Sequence, residues 1–265
     1  MPLLTVKQYI VDAFTNTVFQ GNPAAVCLLP QWLPDDLLQQ IAKENNLSET
    51  AFLVSQGEEY ALRWFTPGGE IDLCGHATLA SAYTVLRFVK PGQTAITFQT
   101  KSGPLTVTKQ QDRYEMDFPA YTLKPTPVTP EMTDAIGCQP IEAWLGRDLV
   151  CVLPQESQVR QAVPELEKVK GLPGLLLHLT AQGQEYDCIT RSFAPKLQVA
   201  EDPVCGSGHC HVIPLWTKKQ KKNQLCAFQA SQRSGILYCQ MAGDRVLLAG
   251  NAALYAAAEI YVPLP

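Results

Sequence analysis

Moving a proton on a small molecule requires a carrier of suitable strength, donors for the charge that develops and shelter from water. The side chains able to supply these crowd around two Cys-Gly dipeptides. The first lies in Asp72-Leu73-Cys74-Gly75-His76-Ala77, the second in Asp202-Pro203-Val204-Cys205-Gly206-Ser207-Gly208-His209. His76, Asp202, Ser207 and His209 bring imidazole, carboxyl and hydroxyl groups, with the thiols of Cys74 and Cys205 alongside. Each dipeptide precedes an apolar segment that reads as a helix, whose first amides have no partner within it and carry positive partial charge. Gly75, Gly206 and Gly208 let a ligand approach the backbone, so the turns are expected to hold a carboxylate without any lysine or arginine. A plainer reading is that these glycines only permit tight helix entry; their paired occurrence favours the site.

Glu49 is the third element. In Asn45-Asn46-Leu47-Ser48-Glu49-Thr50-Ala51-Phe52 a polar turn leads into an apolar strand, and Glu49 stands at the strand's beginning. Partly desolvated by Phe52 and its surroundings, this carboxyl is expected to exchange a proton near neutrality. A solvated turn glutamate would look the same in sequence. Cys205, His209, Cys210 and His211 offer thiolate and imidazole, which zinc takes. Residues 209, 210 and 211 would point in different directions on a helix and no Cys-x-x-Cys pair accompanies them, so core packing explains them better than a metal does. Neither a Gly-x-Gly-x-x-Gly nor a lysine-ended phosphate loop occurs, so the expectation is an enzyme that works without metal or cofactor.

These groups must be positioned by elements that the chain writes twice. Arg63-Trp64-Phe65-Thr66-Pro67 is echoed 128 positions later by Arg191-Ser192-Phe193-Ala194-Pro195. Lys101-Ser102-Gly103-Pro104-Leu105 recurs as Arg233-Ser234-Gly235-Ile236-Leu237, and Asp112-Arg113 as Asp244-Arg245, both offset by 132. Four matches in one order, counting the Cys-Gly turns, imply two homologous halves. Phe118 to Pro130 carries four prolines, which lack amide donors and suit a crossing linker better than a sheet. The expected division is an N-terminal lobe at 1–120 and a C-terminal lobe at 130–265.

Segments from Thr5 to Val11, Ala25 to Leu29, Ala51 to Val54, Ala61 to Phe65, Ala95 to Thr100, Leu105 to Lys109 and Tyr114 to Phe118 read as strands. Pro34 followed by Asp35-Asp36 begins a helix. Ala77 to Val89 is apolar on nearly every side and predicts a helix wrapped by protein. Its counterpart begins at Gly208, where Pro214 should kink or shorten it. The expected fold class is α+β, with each lobe a curled, mostly antiparallel sheet around a central helix.

Phe19-Gln20-Gly21-Asn22-Pro23-Ala24-Ala25-Val26, Leu47-Ser48-Glu49-Thr50-Ala51-Phe52, Leu73-Cys74-Gly75-His76-Ala77-Thr78-Leu79-Ala80 and Glu201-Asp202-Pro203-Val204-Cys205-Gly206-Ser207-Gly208 resemble the signatures of the phenazine-biosynthesis (PhzF-like) isomerase family. In order and spacing the resemblance extends over essentially the whole chain. It implies a diaminopimelate-epimerase-type fold, a substrate cleft between two lobes, and a homodimer. It also implies that Glu49 shuttles a proton, with His76, Asp202 and Ser207 assisting. Many relatives have threonine where this chain has Cys205. Cysteines thus stand before both glycines, as in two-thiol epimerases and racemases, and a helix N-terminus stabilises a thiolate. A racemase using Cys74 and Cys205 is therefore the alternative to a glutamate-centred isomerase, and a binding protein without turnover is a third.

Composition excludes other classes. A formal net charge of −4 leaves no positive excess to hold nucleic acid by counterion release. The run Lys218, Lys219, Lys221 and Lys222 reads as a solvated helix end. No apolar run reaches 18 residues and Met1 to Val11 alternates like a strand, so no membrane association and a cytoplasmic location are expected. Nine cysteines form an odd set without the spacing of a disulfide scaffold, so most should be reduced and buried.

Overall fold

The computed structural model describes residues 3–264, so Met1 and Pro2 of the strand-like beginning, and Pro265, lie outside the described residues. The chain is α+β and divides into two compact units, Met1–Asp117 with Ala249–Pro265, and Phe118–Leu248.

The first unit contains β1 (Leu3–Ala13), β2 (Asn22–Leu29), α1 (Asp35–Asn45), β3 (Glu49–Gln56), β4 (Glu59–Thr66), β5 (Gly69–Ile71), α2 (Gly75–Thr84), β6 (Ala95–Thr100), β7 (Gly103–Gln110) and β8 (Arg113–Pro119). β1 pairs antiparallel with β2, β2 parallel with β3, and β3 antiparallel with β4. β4 then takes β5 antiparallel and β6 parallel, and β6, β7 and β8 follow antiparallel. Helix α2 touches β1, β2, β3 and β7 and buries nearly every side chain. A helix so enclosed must satisfy its own polar groups. Thr78, Ser81 and Thr84 do so by donating to the carbonyls of Cys74, Ala77 and Ala80 at 2.5, 2.7 and 2.9 Å. A π-helical turn, Val85–Val89, closes the helix.

The second unit contains β9 (Lys124–Thr126), α3 (Pro130–Ile136), β10 (Glu142–Leu145), β11 (Leu149–Val152), α4 (Glu156–Gln161), α5 (Leu166–Gly171), β12 (Leu177–Gln182), β13 (Cys188–Ala194), β14 (Val199–Asp202), α6 (Gly206–Gln220), β15 (Gln224–Gln229), β16 (Gly235–Ala242) and β17 (Arg245–Gly250). Here too an antiparallel pair, β10 and β11, is followed by parallel β12 and antiparallel β13. β13 takes β14 antiparallel and β15 parallel, and β16 continues antiparallel. The same ion pair sits at the same place in both units. Arg63 grips Glu70 with Nε and Nη2 at 2.7 and 2.8 Å, and Arg191 grips Glu201 likewise at 2.7 and 2.8 Å.

Three local expectations are corrected. The proline segment is not purely a linker: Pro125 lies in β9, which pairs with β10 at Trp144. A short end strand tolerates a residue that donates no ladder bond. The C-terminal lobe does not run to residue 265, because the last strand, Ala252–Pro263, pairs with β1 from Leu3–Pro263 to Ala13–Ala252 and thereby joins the first unit. Nor does Pro214 shorten its helix, which runs through 15 residues. Proline cannot donate to the carbonyl of Cys210 four residues back, but the Tyr121 amide donates to it at 3.0 Å instead.

Candidate active site

In the first unit, Cys74 is the N-cap of α2, and the first intrahelical bond is made by the Thr78 amide to the Cys74 carbonyl at 3.2 Å. The amides of Gly75 and His76 therefore precede the hydrogen-bonded ladder. Glu49, first residue of β3, turns its carboxylate to the same place: Oε2 lies 2.9 Å from Nε2 of His76. This oxygen is off the ring's N–H line, so the contact is an ion pair rather than an aligned hydrogen bond. Side-chain exposure is 15% for Glu49 and 8% for His76. Burial alone would drive His76 toward neutrality, but Cys74 and Glu49 beside the ring outweigh it and hold the imidazolium well above its usual range. The Cys74 sulfur approaches His76 Nδ1 at 3.5 Å, yet burial, reinforced by Glu49, pushes this thiol up. Of the residues singled out in sequence, this unit gathers Glu49, Cys74, Gly75 and His76.

In the second unit the start of α6 gathers Asp202, Cys205, Gly206 and Ser207. Cys205 is the N-cap and its sulfur accepts from the Gly208 amide at 3.4 Å. Gln229 ties the entry turn, donating to the Asp202 carbonyl at 2.6 Å and accepting from the Cys205 amide at 2.8 Å. Asp202 Oδ1 accepts from the Val204 amide at 3.1 Å. The Cys205 thiol is pushed well above its ordinary value by burial and then by Asp202. Thiolate stabilisation at a helix start is thus outweighed in both units, because desolvation of the anion exceeds the helix-end field. Gly208 answers to packing rather than to a ligand: a Cβ there would meet His178 Cε1 at 2.8 Å and Ser192 Oγ at 3.1 Å. His209 turns Nδ1 to the Cys205 carbonyl at 2.8 Å and is brought down to about 4 by burial, which makes it a core histidine.

Beneath this helix lies a polar network around Asp148 that no sequence motif singled out. Asp148 is fully buried, and its carboxylate receives Arg147 Nε and Nη2 at 3.0 and 2.7 Å. His178 Nε2 meets the same carboxylate at 3.1 Å, while its Nδ1 pairs with Ser192 Oγ at 2.9 Å. His211 sets Nδ1 against the Ser207 carbonyl at 2.8 Å and takes the Asp148 amide at Nε2, at 3.4 Å. Burial would raise the Asp148 carboxyl, but His178 and Arg147 overrule it and hold it well below the carboxylate range. Arg147 also reaches Ser207 Oγ and the Tyr121 hydroxyl, each at 3.0 Å. The available signal was an Arg-Asp pair and a lone histidine inside otherwise apolar strand sequence, where unpaired charge is too costly to be idle.

Two groups bring three metal-binding atoms within 4.8 Å of one another: Glu49, Cys74 and His76, and Asp148, His178 and His211. In the second, both His211 nitrogens and the carboxylate are already engaged within the protein.

The two units are not chemically alike. Arg63 pairs across the ladder with Phe52, and Arg191 with Leu179. Three residues before those partners stand Glu49 and Leu176. The position that holds an acid in the first unit holds a hydrocarbon in the second.

Comparison with known proteins follows the same lines. The model of the family described as phenazine biosynthesis-like protein matches residues 11–258. An uncharacterized isomerase of Pseudomonas aeruginosa is 42% identical over 259 residues, covering 98% of this chain and 99% of its own. A PhzF-family crystal structure from Enterococcus faecalis superimposes with a TM-score of 0.96 at 46% identity, covering 98% of this chain and all of the other. A hydroxyproline epimerase from Agrobacterium vitis shares the fold, with a TM-score of 0.63 at 8% identity over 98% of this chain and 92% of its own.

Proposed function

The chain belongs to the phenazine biosynthesis-like family, and from that premise we propose that this isomerase moves a proton between carbons of a small unsaturated or α-substituted carboxylic acid without a cofactor. Glu49 carries the proton. The observation that supports this most directly is the Glu49 carboxylate 2.9 Å from the His76 imidazole, both largely buried at the start of α2. A carboxylate beside an imidazolium can take a proton from one carbon and return it to another, the imidazolium meanwhile facing the negative charge left on the substrate. The helix-start amides of each unit, at Gly75 and at Gly206, are suited to a substrate carboxylate, and Asp202 and Ser207 beside the second of them orient the acid.

Solvent exchange tests this reading. The full chain is incubated in deuterium oxide with a panel of small unsaturated and α-substituted acids, and mass spectra are expected to show one deuterium gained in a turned-over acid. Glu49→Gln is expected to slow exchange by about 10²-fold or more, the usual contribution of a positioned acid–base group. Exchange at the parental rate in that variant would exclude Glu49 as the carrier.

A racemase reading has one specific support, that Cys74 and Cys205 cap corresponding helices. It requires each thiol to ionise readily, whereas burial raises both. The glutamate reading is therefore preferred. A cytoplasmic location, a homodimeric assembly and the absence of nucleic-acid or membrane partners belong to the same proposal; among the described residues no helix is long and apolar enough to cross a membrane.

A further inference from the structure

We propose that Tyr121 and Ser207, held by Arg147, form a carboxylate-recognition group in the second unit. The inference rests on the carboxylate reading above and adds to it two residues, Tyr121 and Arg147, that the sequence did not single out.

A guanidinium has five N–H groups and no acceptor. Among the described residues four of them are placed: Nε and one Nη2 proton on Asp148, the other Nη2 proton on Ser207 Oγ, and one Nη1 proton on the Tyr121 hydroxyl. The bidentate grip on a fully buried carboxylate fixes the plane of the fork. Asp148 is fixed in turn by His178, and Tyr121 lies flat on the His211 ring with centroids 4.0 Å apart and 10° between planes. The guanidinium carbon also lies 4.9 Å from the Tyr121 ring centroid.

Donation from arginine decides what both hydroxyls do. Each accepts from Arg147, so the proton of each is free to point elsewhere. For Ser207 one internal alternative exists, the Cys205 sulfur at 3.5 Å, which is long and weak. Arg147 is 37% exposed, and Tyr121 and Ser207 are both partly exposed, so a ligand can reach all three. Two outward hydroxyl protons, the fifth N–H and the positive edge of the guanidinium together suit a planar anion with two oxygens. Asp148 does not oppose this, because its charge is spent inward on Arg147 and His178.

Binding of benzoate and of its neutral isostere benzamide to the full chain, compared by calorimetry at fixed ionic strength, tests the proposal. Benzoate has no proton of the kind the isomerase would exchange, so the measurement reads recognition alone. The parent is expected to prefer benzoate by about tenfold or more, the scale of one hydrogen bond to a charged group. Tyr121→Phe and Ser207→Ala should each weaken benzoate by about tenfold while leaving benzamide unchanged. Arg147→Met should remove the preference and Arg147→Lys should keep part of it. The two hydroxyl variants remove single oxygens and carry the test if Arg147→Met does not fold. A parent without preference for benzoate, or hydroxyl variants that bind it as the parent does, overturns the proposal. Failure here with Glu49-dependent deuterium exchange intact sinks the recognition group alone; benzoate preference without exchange on any acid sinks the isomerase reading and leaves the group standing.

Discussion

At Cys74 and Cys205 the sequence invites a thiolate and the surroundings refuse it. Both sulfurs cap helices, but each is buried beside a carboxyl group, and desolvation outweighs a helix-end field worth about 0.3–1 kcal/mol at ordinary sites. Cys74→Ala and Cys205→Ala are accordingly expected to retain proton exchange within about tenfold of the parent, far less than the loss at Glu49→Gln. Abolition of exchange by both would instead favour the two-thiol racemase, and the deuterium assay distinguishes the outcomes. Leu176 at the position answering to Glu49 makes the same point from the other side, since a hydrocarbon there supplies no second carboxylate base. Glu49 was legible through the Leu47-Ser48-Glu49-Thr50-Ala51-Phe52 motif, a short stretch of neighbouring residues, whereas the turn-to-strand pattern by itself would also suit a solvated glutamate. Arg147 and Tyr121 were not, since what matters about Arg147 is its contact with Ser207, 60 residues further along the chain, and about Tyr121 its contact with Arg147, 26 residues on.

Helix α6 shows how an element answers to neighbours remote in sequence. His209 and His211 are buried and neutral in the folded chain, each brought down to about 4 chiefly by burial. In the unfolded chain an ordinary histidine titrates near 6.5, so between those values the unfolded state binds more protons and folding stability falls as pH falls. Denaturant midpoints of the parent should therefore drop from about pH 6.5 toward 4, and His211→Gln should flatten part of that slope even if it lowers the plateau. Asp148, held low by His178 and Arg147, adds its own loss only at more acidic pH, because a depressed carboxyl is stabilising until it is protonated. Packing sets the other limit on this helix. Gly208→Ala would put a methyl 2.8 Å from the His178 ring, whereas the first unit has Ala77 at the corresponding place. A loss of about 1–3 kcal/mol in chemical unfolding is expected, and an unchanged midpoint would show that His178 moves aside freely.

For the whole molecule the consequential feature is the strand that pairs with β1 from the far end of the sequence order. The strand Ala252–Pro263 covers the length of β1, so removal of residues 251–265 should expose an eleven-residue strand edge in the first unit. The truncated protein is expected to lose amide protection on β1 and to aggregate, read by hydrogen exchange and light scattering. Full protection of β1 in that truncation would mean that the strand adds little.

The sequence by itself determined that the chain is written twice, that each copy sets a Cys-Gly turn before an enclosed helix, and that Glu49, His76, Asp202 and Ser207 are the candidates for chemistry. Such signals are local: periodicity, turn residues and short motifs reflect backbone preferences a few residues in range. Tertiary structure alone decided that the last strand returns to the first unit, that Tyr121 supplies the bond Pro214 withholds, that burial keeps the capping thiols protonated, and that a buried Asp148 aims Arg147 at Ser207. Each depends on solvent exclusion or on a hydrogen bond between residues far apart in the chain. Neither quantity is carried by any short stretch of sequence, because both arise only when distant segments share one desolvated space.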